Sequence, residues 1–182
     1  DAMQKVCPIT PNQDGAETPA YVYSHYFLGR RATALARIDL LNKLSQNFDV
    51  TVYTHADCKD ILPTAIYGGK IDYYDTMPTV FQHSKINLNI TLKTIQTGIP
   101  LRAWDILGCS GFLLTNFQQE LCDFFIPGED FVYYESPADA IEKAAYFLSH
   151  DRERQEIAHN AFEKIAASHT FHHRVQSMFD II

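Results

Sequence analysis

Two arginines following a glycine, Gly29-Arg30-Arg31, carry planar guanidinium donors of the kind that grip phosphate oxygens. They fall between a β-prone run, Ala20-Tyr21-Val22-Tyr23-Ser24, and a helix expected over Arg31 to Gln46. Open parallel sheets take ligands at the carboxyl ends of their strands, beside helix N-termini that favour anions. A phosphate or diphosphate suits such a pair. The competing reading is a solvated pair at a helix start, where the helix dipole disfavours cations. A second cluster lies in the segment from Thr94 to Gly111. Gly98 allows close backbone approach, Pro100 suits the first turn of a helix, and Arg102 adds a cation to that turn. Asp105 follows in an apolar stretch, where an unpaired carboxylate is costly. It either pairs with Arg102 at i, i+3 or accepts hydrogen bonds from a diol. Local chemistry leaves both open.

Other chemistries find little support. His169, His172 and His173 share a helical spacing, but no HExxH pattern or neighbouring carboxylate completes a metal site. No metal is expected. GxGxxG, P-loop and G-x-S-x-G motifs are missing, and no Cys–His dyad is readable. A receiver-type signalling domain fails because no acidic pair follows the first expected strand.

Fifteen basic residues face 22 acidic ones, a net charge of −7, which argues against a nucleic-acid partner. The four cysteines, Cys7, Cys58, Cys109 and Cys122, show no framework spacing and are expected as reduced thiols in the cytoplasm. No apolar run approaches the ~18 residues of a transmembrane helix, and no signal peptide is visible. The start at Asp1 suggests an excised or processed chain.

The elements needed to hold these residues alternate. Residues 1–19 read as a linker or arm, and 20–182 as one α/β domain. Strands are expected at 20–24, 49–54, within 66–74, at 85–91, 112–115 and 131–134. Helices are expected over 31–46, from an Asp75 cap to His83, from Pro100 to Leu107, over 118–124, and after Pro137, Asp151 and Thr170. The stripes are Leu35-Ile38-Leu41-Leu44, Ile141-Ala145-Leu148, Ile157-Ala161-Ile165 and Val175-Met178-Phe179-Ile182. Alternation of this kind predicts a three-layer α/β sandwich, a mainly parallel sheet of five or six strands with helices on both faces.

Three segments then fall in a known order: Ser84-Lys85-Ile86-Asn87-Leu88-Asn89-Ile90-Thr91, Gly98-Ile99-Pro100-Leu101-Arg102 running on to Gly111-Phe112-Leu113-Leu114-Thr115, and His169-Thr170-Phe171-His172-His173-Arg174. From Tyr21 onward the chain resembles the C-terminal domain of bacterial glycosyltransferases of the spore-maturation type, in the glycosyl transferases group 1 superfamily with the GT-B fold. The resemblance implies a Rossmann-like domain that binds a nucleotide-diphosphate sugar and transfers its glycosyl group to an unknown acceptor. That acceptor would sit on an N-terminal domain of the same protein, and this half alone would turn over little.

Asp105 falls where the superfamily has the second of two glutamates seven residues apart, the one that holds the ribose hydroxyls. Thr97 stands where the first would be, a departure from the pattern. Gly98 matches the glycine whose backbone approaches the donor. Arg30, Arg31 and Lys85 match basic positions that meet the diphosphate, and Tyr73 lies in the region that brackets the nucleobase. The resemblance implies no metal and no cofactor beyond the donor itself. The alternative is a non-catalytic α/β domain for nucleotide binding or protein interaction.

Overall fold

In a computed structural model, residues 2–10 and 17–180 are described. The chain begins with α1 (Ala2–Val6), whose neighbourhood is tied down by the Tyr23 hydroxyl. That hydroxyl donates to Gln4 Oε1 (2.6 Å) and to the Cys7 carbonyl.

The first departure from expectation comes next. Residues 20–24 are helical, not a strand. Helix α2 (Pro19–Val22) runs through a π-helical stretch (Tyr23–Gly29) into α3 (Arg30–Ser45). Thr18 caps the start by accepting the Tyr21 N–H at 3.2 Å, and Pro19 supplies the preset φ of a first turn. Stacking of Tyr21 on His25, with ring centroids 4.0 Å apart, then lies along a helical face. An N-terminal signal outweighs β-prone side chains here. Arg30 and Arg31 therefore lie within a continuous helix rather than on a strand-to-helix loop. Thr33, Leu40, Leu44 and Ser45 are its buried positions, while Leu35 of the expected stripe is exposed.

Five short strands follow, all parallel. β1 (Thr51–Tyr53) pairs with β2 (Ile66–Gly69). β3 (Asn87–Asn89), β4 (Leu113–Asn116) and β5 (Val132–Tyr134) form a separate sheet in that order. The single sheet of five or six strands is thus divided, two and three, among the described residues. Between the strands lie α4 (Met77–His83), α5 (Leu101–Gly108) and a 3₁₀ turn (Gln119–Asp123); α6 (Pro137–Ser149), α7 (Asp151–Ser168) and α8 (Phe171–Phe179) close the chain. Thr76, not Asp75, precedes α4.

Alternation along the strands builds two core layers. Leu114, Val132 and Tyr134 face Leu40, Leu44, Ala140, Ala144, Phe147 and Ile157 from α3, α6 and the first half of α7. Leu113 and Phe131 face the opposite way, against Phe81, Ala103, Ile106, Leu107 and Ala161. Helices therefore cover both faces of an α/β fold. The buried face of α6 is Ala140-Ala144-Phe147, one residue before the expected Ile141-Ala145-Leu148. In α7 Ile157 and Ala161 are buried as expected. Val175, Met178 and Phe179 of α8 are exposed, and Ile182 lies outside the described residues. No helix among the described residues is long and apolar enough to cross a membrane.

Candidate functional site

The carboxyl edge of the three-stranded sheet is built from buried polar side chains. Asn89 Nδ2 donates to Thr91 Oγ1 and Thr115 Oγ1, both at 3.0 Å, and Asn116 Oδ1 accepts the Thr91 N–H at 2.7 Å. The buried Tyr134 hydroxyl is pushed up to about 12, chiefly by burial. These bonds satisfy groups that would otherwise be costly to bury. They also fix the loop that leaves β3.

Helix α3 grips that same loop. Arg37 donates from Nε (3.2 Å) and Nη2 (2.6 Å) to the Ile90 carbonyl, and Thr33 Oγ1 accepts the Lys93 N–H at 3.0 Å. Gly29 is where the two approach most closely: a Cβ there would come 2.0 Å from the Thr94 methyl. Arg30 and Arg31 follow Gly29 as exposed residues of the continuous helix and do not begin a helix of their own. The Arg30 guanidinium lies 5.4 Å from the Tyr26 ring centroid.

The loop continues past exposed Thr97 to Gly98, whose φ of +101° favours glycine. The Gly98 N–H is donated to Glu120 Oε2. Pro100 then caps α5, whose first turn brings the backbone N–H groups of Leu101 and Arg102 to the helix start. Arg102 extends toward α4, donating from Nη1 to the Met77 sulfur at 2.9 Å with its guanidinium 5.5 Å from the Phe81 ring centroid. The ion pair with Asp105 that the i, i+3 spacing left open does not form; no such bridge exists among the described residues.

Asp105 instead accepts the Tyr73 hydroxyl at Oδ2, 2.7 Å away. The turn carrying Tyr73 is set by Asp72 Oδ1, which accepts the Tyr74 and Asp75 N–H groups at 2.8 Å each. Those two bonds hold the Asp72 carboxyl below its usual range. The Tyr73 phenol is raised, first by its hydrogen bond to Asp105 and then by partial burial. Cys109, one turn beyond Asp105, is raised by burial and secondarily by that carboxylate. Tyr73 and Asp105, 32 residues apart, are thus brought together with one carboxylate oxygen left over.

Lys85 is not brought to this edge. It precedes β3, on the amino edge, and acts electrostatically on Asp151. The Asp151 carboxyl is lowered first by hydrogen bonding and charge from Arg154 and in smaller part by Lys85. A three-residue strand separates the two edges, so Lys85 cannot join Gly98 at a shared anion. Two of the three candidate histidines have structural partners. His173 completes a capping box with Thr170, and His169 rests against Trp104, Phe124 and Phe125 while its Nδ1 meets Arg174 Nη2 at 2.9 Å. Among the described residues no group of three or more His, Cys, Asp or Glu is placed to hold a metal.

Three residues of this edge escaped sequence reasoning: Arg37, Lys93 and Glu120. Lys93 had a usable signal, its position just past an alternating strand. A loop carrying Lys93 after the edge strand β3, the start of α5 and a tyrosine–carboxylate pair are the polar features of this side of the sheet. The pattern of the family described as glycosyl transferase-like matches residues 30–180. The chain belongs to this family. The match runs from the start of α3 to the end of α8, so the whole carboxyl edge lies inside it. No curated relative matches the chain.

Proposed function

We propose that this domain of the glycosyl transferase-like family is the donor-binding half of a GT-B glycosyltransferase of the spore-maturation type. The observation that supports the reading is the Tyr73–Asp105 pair, whose carboxylate, with one oxygen left over, sits on the helix that opens after Gly98 and Pro100. The reading adds Arg30, Arg31 and Lys93 as the cations that would meet the diphosphate. A nucleotide-diphosphate sugar would lay its diphosphate across the cations and the free N–H groups of α5. The second oxygen of Asp105 would take a ribose hydroxyl, with Tyr73 orienting the carboxylate and bordering the base. Thr97 and the Gly98 segment would face the sugar end.

The transfer breaks the bond between the anomeric carbon and the diphosphate and forms one to an acceptor oxygen. The departing diphosphate gains charge as that bond breaks. Arginines and helix N–H groups stabilise that charge without a metal. The acceptor and any base that takes its proton would be held by a preceding N-terminal domain. Thr97 in place of a glutamate favours one rival, a donor domain that binds without transferring. A thermal-shift panel of nucleosides, nucleoside diphosphates and nucleotide sugars tests the donor reading. Diphosphates and nucleotide sugars are expected to raise the melting temperature by ligand linkage, and nucleosides much less. A flat panel would overturn it.

A further inference from the structure

The carboxylate on Gly98 arrives from a different strand connection. Glu120 is the second residue of the 3₁₀ turn after β4, and the adjacent Leu121 roots that turn in the core at 1% exposure. Its Oε2 accepts the N–H of a glycine already committed to φ +101°, two residues before the Pro100 cap. A Cβ on Gly98 would lie 4.0 Å from that oxygen, so backbone conformation rather than crowding demands glycine. The contact joins the β3–α5 and β4–β5 connections across 22 residues of sequence, at the point where the chain turns into the helix.

We infer that Glu120 is a positioning residue for the anion site, holding Gly98 so that the Leu101 and Arg102 N–H groups point out of the sheet edge toward the diphosphate. This rests on the donor site proposed above. A carboxylate is a strong acceptor for a backbone N–H and suits the positive end of a helix. It also repels an incoming dianion, and a rival role as a displaceable plug predicts the opposite sign on removal. The rooted turn favours the anchor, because withdrawing Glu120 means moving a segment fixed by Leu121.

Glu120→Ala and Glu120→Gln in the full chain separate the two roles. Amide exchange over residues 94–101 is read without ligand, and inorganic pyrophosphate affinity by calorimetry. Glu120→Ala is expected to speed exchange there and weaken pyrophosphate at least tenfold. Glu120→Gln keeps a carbonyl acceptor and is expected to stay within threefold of the parent. If Glu120→Ala does not fold, Gly98→Ala, strained at its positive φ, is expected to reproduce both losses. Tighter pyrophosphate binding in both Glu120 variants, or unchanged exchange and affinity in Glu120→Ala, overturns the inference. A parent chain that ignores pyrophosphate while Glu120 still governs exchange overturns the donor-site reading and leaves the anchor standing.

Discussion

The two edges of the three-stranded sheet differ in how their charges are buried and paired. At the amino edge, two cations are answered within the chain by close carboxylates. Lys164 Nζ donates to Asp130 Oδ2, which also accepts the Ile126 N–H at 2.6 Å, and Arg154 Nη1 meets Asp151 Oδ1 at 2.6 Å. On the carboxyl side Lys143 pairs with Asp139 at 2.8 Å, whereas Lys93 and Arg102, with Arg30 and Arg31 on α3, have no carboxylate partner among the described residues. In a chain of net charge −7, these cations are the ones that the proposed donor reading assigns to an external anion. The buried Asp130 pair maintains the fold at the amino edge; the proposed donor site lies at the carboxyl edge. Substitutions on the two edges should therefore move different observables.

The largest effect belongs to the amino edge. Asp130 is 1% exposed, so Asp130→Ala removes a buried acceptor and leaves Lys164 and the Ile126 N–H unanswered. Chemical denaturation should show a loss of about 3 kcal/mol, at the lower end for broken buried pairs because Lys164 reaches solvent. Nucleotide affinity of the folded protein should not change. Equal losses of stability and affinity would erase the distinction between the edges.

Arg30→Ala combined with Arg31→Ala probes the other side. Both side chains are exposed, so stability should stay within about 0.5 kcal/mol. Nucleoside diphosphate affinity, measured by calorimetry, should fall by about 1.5–3 kcal/mol, the range of hydrogen bonds to charged groups. A drop in melting temperature without a drop in affinity would assign the pair to the fold.

How far these residues were legible in sequence depends on the range of the contacts that place them. Four of the five strands sit inside runs recognisable by alternation or apolarity, and the Ser136 cap is seen accepting the Asp139 N–H at 3.2 Å. The α/β class follows from local patterns of that kind. Residues 20–24 misled because Tyr-Val-Tyr has the composition of a strand, while the Thr18-Pro19 start that overrides it lies just upstream. The α6 face slipped by one residue because an apolar residue follows each buried position, Ile141 after Ala140, Ala145 after Ala144 and Leu148 after Phe147. At the site, Gly98, Arg102 and Asp105 were visible as a cluster, but their partners were not. Tyr73 reaches Asp105 across 32 residues and Arg37 reaches Ile90 across 53, and one sequence carries no sign of either.

Asp105→Asn sharpens the comparison at smaller scale. The change keeps the size but exchanges an acceptor for a donor beside the Tyr73 hydroxyl. Donor affinity should fall by about 1–2 kcal/mol with stability nearly unchanged, because Arg102 engages Met77 and not Asp105. A destabilised variant with parental affinity would make the carboxylate structural.

The smallest effect is one of pH. His169 titrates below its ordinary value, first through burial and then through Arg174 and His173. Because the folded state binds that proton less readily than the unfolded one, stability should decline as pH falls below about 6.5 and level off once the folded value is passed. His169→Gln should remove that part of the pH dependence of the melting temperature. A parent curve that the variant reproduces unchanged would assign the acid sensitivity elsewhere.

The most direct test of the central claim is calorimetric titration of the full chain with a nucleoside diphosphate and its parent nucleoside, at low and high salt. If the unpaired cations of the carboxyl edge receive a donor diphosphate, the diphosphate should bind more tightly than the nucleoside by about 1–3 kcal/mol. That advantage should shrink as salt screens the exposed charges. Equal affinity for the two, or an advantage indifferent to salt, would contradict the account.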